Sequence, residues 1–451
     1  MSETFDAVII GAGPGGEVVA DELIEAGRRV AMVERELVGG ECPYWACIPS
    51  KTLLRPGEAQ SEASRSFGVS TPTLDWSDTA AYRDWIVRGL DDAGSVESYE
   101  AKGATIVRGT GRIAGPGRVD VDGRVLEADH VVVATGSESS LPPIDGLEGV
   151  PYWTNREATT LAEVPGRVLM VGGGPVAVEL SQAMSRFGAE VTLVQGADRL
   201  VNREDPRVGE LIEAVLREEG IDVRAGVRTE SARASAGSDG PTLVGLSDGS
   251  ELEVDRLVIA AGRTPRIHDI GLENVGVEPG AGSLPIDQGC RLAEGLWAVG
   301  DATGVAMFTH LAQYQGRVAA ANILGGSRRA DYRAVPRVVF SDPEIAAVGL
   351  TEAAAREQGV DVVTARVDLA ATLARPVTYE RNPRGELGLV ADRARGVLVG
   401  AWAVSPLASE FIHEAVVAVR AEVPVEVLLD TVRQFPTFAE GMFKALDQLE
   451  L

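Results

Sequence analysis

Cys42-Pro43-Tyr44-Trp45-Ala46-Cys47, followed directly by Ile48-Pro49-Ser50-Lys51, is the segment best equipped for chemistry. The only other cysteine, Cys290, is far away in the sequence. On an ideal helix, residues five apart have Cα atoms about 8 to 9 Å distant, beyond the usual disulfide limit of about 6.8 Å. The two sulfurs can therefore bond only if the segment starts outside a helix or is distorted there. Pro43, which has no N–H to donate, suits a first turn. Near a bound nucleotide, such a pair reads as a dithiol/disulfide couple that exchanges electrons with a cofactor, its reactivity set by thiolate character. The bland alternative is two unpaired core cysteines.

The elements that would position this pair begin at the start of the chain. Val8-Ile9-Ile10 is an apolar strand, and Gly11-Ala12-Gly13-Pro14-Gly15-Gly16 leads from it into a helical pattern over 18–26. A second strand over 30–33 ends in Glu34. This is G-x-G-x-x-G in its βαβ setting: the glycines admit a pyrophosphate, the helix N-terminus stabilises its charge, and the acid accepts from a ribose hydroxyl. The pattern then recurs. A strand over 168–171 precedes Gly172-Gly173-Gly174-Pro175-Val176-Ala177, a helix over 178–187 and a strand over 191–194. Gln195 follows Gly172 by the same 23 residues that separate Glu34 from Gly11. Each half also has a later strand ending in a small-residue turn, Ala134-Thr135-Gly136 and Ala260-Ala261-Gly262. Two nucleotide modules imply two nucleotides, and electron transfer between them is the simplest reason to hold both.

Length and charge bound the rest. A chain of 451 residues is expected to form about three domains. No apolar run reaches transmembrane length. The N-terminus enters its first strand with no visible export signal, so a cytoplasmic location is expected. In that reducing compartment a cysteine pair is catalytic more often than structural. The net charge of -25 argues against nucleic acid or an anionic membrane as partner. No His/Cys cluster has metal-ligand spacing, so no metal is expected. His130, His268 and His413 default to core or surface roles.

The ordered motifs resemble the class I pyridine nucleotide-disulfide oxidoreductases, the group of dihydrolipoamide dehydrogenase, glutathione reductase and mercuric reductase. The resemblance rests on Gly39-Gly40-Glu41-Cys42 through Lys51, both fingerprints and Gly262-Arg263-Thr264-Pro265. Leu296-Trp297-Ala298-Val299-Gly300-Asp301 and Phe340-Ser341-Asp342-Pro343-Glu344 extend it over essentially the whole chain. It implies an α/β fold with two Rossmann-like dinucleotide-binding domains, for FAD and NAD(P), and a C-terminal α+β dimerisation domain. The expected FAD domain is discontinuous, 1–148 and 281–331, ending near the Gly325–Arg329 turn. The NAD(P) domain would span 149–280, with a hairpin at Ala236–Gly240, and an interface domain 332–451. The last is expected to contain a strand at 337–340, another at 396–402 and a helix from about 409 to 420.

The resemblance also implies roles. Cys47 would lie against the isoalloxazine as the charge-transfer thiolate, and Cys42 would be the interchange thiol. Lys51 is one of three lysines, with Lys102 and Lys444. It would sit near flavin N5 and pair with Glu179, an ordinary surface lysine being the alternative. Gly11, Gly13, Pro14, Gly15, Gly16, Glu34, Gly40, Lys51, Thr135, Gly136, Gly300 and Asp301 would contact FAD, and Arg263 would contact one of the two cofactors. Phe308, Thr309 and His310 would open a helix whose N-terminus faces the flavin pyrimidine, with His310 either contacting the flavin there or serving a structural role. Gly172, Gly174, Pro175, Val176, Gln195 and Gly262 would take NAD(P)H. Gln195 in place of an acid, with Arg199 and Arg203 close behind, slightly favours NADPH over NADH.

The departures are as informative. The family ends in a His-Pro-Thr segment followed by Glu, whereas this chain reads Phe435-Pro436-Thr437-Phe438-Ala439-Glu440. Phe435 has no proton to give, and loss of general acid–base help costs roughly 10²–10⁴-fold. Glu440 is the candidate substitute. Mercuric ion as substrate is disfavoured, because the chain ends without the extra cysteine pair of mercuric reductases. Tyr44 and Trp45 either narrow access to the pair, stack a flat substrate or simply pack. Glu41, where the family has threonine, would oppose a Cys42 thiolate. Three readings compete: a reductase of a small disulfide, an NAD(P)H:quinone or other-acceptor flavin reductase, and a non-enzymatic flavoprotein subunit. A homodimer is expected.

Overall fold

A computed structural model describes residues 3–235, 240–280 and 282–451. Its backbone groups into two units: Met1–Pro49, Tyr82–Ser140 and Arg263–Asp331, and then Ser50–Ala81, Leu141–Gly262 and Tyr332–Leu451.

In the first unit the apolar strand Glu3–Ile10 lies between Arg124–Val133 and Val30–Glu34, with Leu296–Ala298 and Thr105–Arg108 completing five parallel strands. Both faces of such a sheet are covered, which is why Val8, Ile9, Met32 and Val132 are fully enclosed. An antiparallel hairpin, Gly111–Gly115 with Arg118–Val121, continues from Arg124–Val133. The first fingerprint turns the chain from Glu3–Ile10 into the helix Pro14–Glu25, capped by Gly13 and opened by Pro14. Gly11 has φ +105°, and a Cβ there would lie 2.3 Å from the Ala134 carbonyl oxygen, so only glycine fits. The helix Thr309–Ile323 packs on Pro14–Glu25 closely enough that a Cβ on Gly316 would come within 2.8 Å of the Gly15 oxygen.

The second unit repeats the plan. Strands Asp222–Ala225, Glu190–Gln195, Arg167–Val171, Arg256–Ile259 and Tyr152–Trp153 form a parallel sheet in that order. The second fingerprint leads from Arg167–Val171 into the helix Pro175–Arg186, again with a glycine cap, Gly174, and a leading proline. An antiparallel sheet of Thr229–Ala234, Thr242–Leu246 and Glu251–Val254 accompanies it. The hairpin expected at Ala236–Gly240 falls largely outside the described residues, since 236–239 are not among them.

The same unit carries a five-stranded antiparallel sheet: Arg337–Val339, Glu344–Gly349, Val397–Ser405, Glu386–Asp392 and Val362–Asp368. Apolar residues of His413–Ala421 and Glu440–Leu446 share its core. The helix expected from 409 to 420 is two pieces, Ala408–Phe411 and His413–Ala421, joined at Ile412. Leu407 before them and Glu422 after them take left-handed backbone angles.

Candidate active site

Between the two cysteines the helix breaks. Glu41–Trp45 is one short helix, Ala46 leaves helical geometry at φ -128°, ψ -98°, and Cys47 opens the next, Cys47–Arg65. The distortion that the spacing demands therefore falls at Ala46, and it brings the thiols of Cys42 and Cys47 into a side-chain hydrogen bond. No disulfide joins the two cysteines here. That hydrogen bond, then burial, then the charge of Cys47 push the Cys42 thiol well above the ordinary thiol range. Thr309, first residue of Thr309–Ile323, places its hydroxyl 3.5 Å from Cys47 Sγ and also hydrogen-bonds Cys42, which opposes the upward shift. Cys290, by contrast, is fully buried.

Tyr44 is packing: it is buried, donates its hydroxyl proton to the Val38 carbonyl at 3.1 Å and lies against Gly39. Trp45 is half-buried with its ring centroid 5.8 Å from that of Tyr44. The Glu41 carboxylate is 3.6 Å from the Arg266 guanidinium, so the charge expected to oppose a Cys42 thiolate is offset by a cation 225 residues away in sequence.

The first nucleotide cradle has the shape the fingerprint calls for. A Cβ on Gly13 would meet nothing nearer than Gly40 Cα at 3.9 Å, so the space above this turn is open to a ligand. Gly15 and Gly16 are buried in the helix, Gly16 against the Gly11 carbonyl. Glu34 accepts from the Ala12 and Glu36 amides, each at 2.8 Å, which aims its carboxylate at the turn. Thr135 donates its hydroxyl proton to the Arg266 carbonyl at 2.6 Å, and the Gly136 carbonyl accepts from the Arg266 amide at 2.9 Å. Asp301, in the short helix Gly300–Thr303, accepts from Ser137 Oγ at 2.5 Å, and Ser137 in turn accepts from Arg263 Nε at 2.7 Å. Burial raises the Asp301 carboxyl, opposed by Ser137 and Arg263. Gly300 donates its amide proton to the buried Gln315 side chain at 2.8 Å. His310 is exposed and stacks on Phe308 with centroids 5.1 Å apart. Ser137, Arg266 and Gln315 carry no motif of their own and are missed from sequence.

In the second unit, Lys51 Nζ donates to Glu179 Oε2 at 2.8 Å, and Glu179 Oε1 accepts from the Phe340 amide at 2.9 Å. Glu179 is buried and Lys51 about one third exposed. Lys51 also lies 4.7 Å from the Phe340 ring centroid, close enough for a cation–π contact. Gly172 has φ +123°, and a Cβ there would be 2.3 Å from the Ala260 oxygen; one on Gly174 would meet nothing within 4 Å. Pro175 and the exposed Val176 form the first turn beside that opening, and Gly262 follows the strand Arg256–Ile259. Gln195 packs on Gly173, its Cδ 2.9 Å from where a Cβ would be. Arg199 gives its Nη2 protons to the Asn202 and Glu204 carbonyls, whereas Arg203 is exposed.

Glu440 accepts from the Thr437 amide at 3.0 Å. Phe435 is 74 % exposed. Among the described residues no group of three or more His, Cys, Asp or Glu could hold a metal ion, and no helix is long and apolar enough to cross a membrane.

Residues 5–316 match the model for the pyridine nucleotide-disulphide oxidoreductases, and residues 335–446 match that family's dimerisation domain. The chain belongs to this family. A mercuric reductase from Streptomyces lividans is 35% identical over 451 residues, covering 97% of this chain and 94% of the relative. A dihydrolipoyl dehydrogenase from Thermus scotoductus is 33% identical over 457 residues, covering 99% and 98%. Among solved structures, the HOCl-induced flavoprotein disulfide reductase RclA from Escherichia coli, in a Cu(II) complex, superposes with a TM-score of 0.86 at 27% identity. LpdA from Mycobacterium tuberculosis does so with a TM-score of 0.87 at 27% identity. Each match covers 99% of both chains. The protein is therefore an oxidoreductase of the flavoprotein disulfide reductase type, with the FAD and NAD(P)H use that the family implies and the two-module fold expected from its fingerprints.

Proposed function

We propose that the protein moves two electrons from NAD(P)H, by way of bound FAD, to the Cys42–Cys47 disulfide, and that the resulting dithiol reduces a small disulfide substrate. The observation that carries this reading is the break at Ala46, which separates Glu41–Trp45 from Cys47–Arg65 and sets the Cys47 sulfur 3.5 Å from the Thr309 hydroxyl. FAD, when bound, supplies the relay between a hydride donor and sulfur. The open cradle over Gly13, with Glu34 aimed at it, suits the first dinucleotide; the opening over Gly174, with Gln195 beside it, suits the second.

The chain's own residues divide the remaining work. Cys42 is the interchange thiol: once deprotonated it attacks one substrate sulfur, a mixed disulfide forms and the other substrate sulfur leaves as a thiol. Cys47 then attacks Cys42, the internal disulfide re-forms and the second thiol departs. The net change is one NAD(P)H and one proton consumed for two thiols made. Lys51, fixed by Glu179, supplies a positive charge for the reduced cofactor. Glu440 serves as the proton donor to the leaving thiol where the family has histidine. Residues 1–148 and 281–331 form the FAD domain, 149–280 the NAD(P)H domain and 332–451 the interface of a cytoplasmic homodimer. NADPH is the preferred donor, with the exposed Arg203 as the cation for its 2′-phosphate, since Arg199 donates to the Asn202 and Glu204 carbonyls.

The exposed Phe435 favours a second reading, electron delivery from the flavin to a quinone or similar acceptor, which needs no acid at that place. A Cys42→Ser variant separates the two. Loss of disulfide reduction with quinone reduction abolished alongside contradicts the second reading; disulfide turnover that persists contradicts the first.

A further inference from the structure

Glu41 presents a problem that Arg266 solves. Gly40 approaches the first fingerprint so closely that a Cβ on it would lie 2.8 Å from Gly13 Cα. Gly13 caps the helix Pro14–Glu25, whose N-terminal amides and dipole favour an anion. The sequence thus sets a carboxylate, Glu41, one residue from the cradle assigned to a diphosphate, where an uncompensated negative charge repels the ligand.

Arg266 meets that carboxylate. Its guanidinium Nη2 is 3.6 Å from Glu41 Oε1, and its Nε is 3.5 Å from Glu138 Oε2. Its backbone is held at both ends by the Thr135-Gly136 turn, through the Thr135 hydroxyl and the Gly136 carbonyl. Its Nε is buried without a hydrogen-bond partner among the described residues. The acid and the cation are about equally and only partly exposed, at 20% each, so screening by solvent is incomplete. Asp301 feels both, raised by Glu41 and lowered by Arg266. The pair is therefore a charge balance placed at the edge of the cofactor site.

We propose that Arg266 is a positioning residue for the FAD diphosphate: by pairing with Glu41 it cancels the carboxylate beside the cradle and so sets how tightly the flavin nucleotide is held. The inference rests on the FAD reading above. A purely structural role for Arg266 predicts that its loss cannot be repaired from Glu41, whereas the charge-balance role predicts that it can.

The test is FAD titration of the apoprotein, followed by quenching of flavin fluorescence, for wild type, Arg266→Gln, Glu41→Gln and the double variant. Arg266→Gln is expected to weaken FAD binding about tenfold or more, as for removal of one partner of a charge pair. The double variant is expected to return to within about threefold of wild type, and Glu41→Gln alone to bind at least as tightly as wild type. An Arg266→Gln protein that binds FAD like wild type overturns the proposal, as does a double variant as weak as Arg266→Gln. Should Arg266→Gln not fold, Glu41→Gln decides alone: weaker FAD binding by that variant contradicts the charge balance. A wild type that takes up no FAD defeats the cofactor reading itself, a different outcome from any of these.

Discussion

Lys51 Nζ and Glu179 Oε2 stand 2.8 Å apart, and the second oxygen of the same carboxylate holds the Phe340 amide at 2.9 Å. The buried acid thus fixes one of only three lysines in the chain, and a paired buried charge is costly to break. On the proposed reading, Lys51 held in this way supplies a positive charge that favours the reduced cofactor. Lys51→Met is expected to slow flavin reduction by NADPH roughly 10²-fold in anaerobic stopped flow. Unchanged kinetics of that half-reaction would discard the role.

Gly172 tests the second cradle independently of the first. With φ at +123° and the Ala260 oxygen 2.3 Å from any Cβ, Gly172→Ala must shift the turn proposed to receive the nicotinamide nucleotide. The expected outcome is a KM for NADPH raised at least about tenfold, with the FAD content of the purified protein unchanged. Loss of FAD with KM intact would reverse the assignment of the two modules.

Asp342 offers a test of stability against pH. Its carboxylate lies between Arg65, at 2.9 and 3.1 Å, and Arg186, at 2.9 Å. Burial acts to raise it, yet the two guanidinium groups hold it below the usual carboxylate range. A folded value below the unfolded one contributes stability that is present above the unfolded pKa of about 3.9. That contribution is lost as pH falls from there through the folded value. Asp342→Asn should therefore cost about 3 kcal/mol at neutral pH and flatten the fall in stability between about pH 5 and pH 2. Denaturant melts at several pH values measure both; an unaltered acid limb contradicts the assignment.

Glu440 is the proposed replacement for the missing histidine. Glu440→Gln keeps an oxygen to accept from the Thr437 amide while removing the exchangeable proton. Disulfide turnover is expected to fall about 10²-fold or more, with reduction of the flavin by NADPH unaffected. An unaltered pH–rate profile for the disulfide reaction rules Glu440 out as the acid.

Much of this was legible in the chain because its signals are local. The fingerprints announce themselves through glycines that close backbone approaches demand, as at Gly11 and Gly172, and through Pro14 and Pro175 at the helix starts. The break at Ala46 follows from the distance two sulfurs can bridge. What the sequence hid depends on residues far apart along it. Nothing near Glu41 points to Arg266, and nothing near Arg263 points to Ser137; only the pairing of Ser137–Ser139 with Arg263–Pro265 brings these together. Tyr44 read equally as a substrate platform or as packing, and its buried hydroxyl bond to Val38 decides for packing. The helix read across 409–420 hid a junction at Ile412, since apolar periodicity continues across it.

The central claim is that nicotinamide electrons arrive at Cys42 and Cys47. Its most direct test is a thiol count after anaerobic addition of NADPH to the purified, oxidised flavoprotein. Two newly titratable thiols per protomer are expected in wild type and none in Cys47→Ser. A flavin that bleaches fully while no thiol emerges would contradict it.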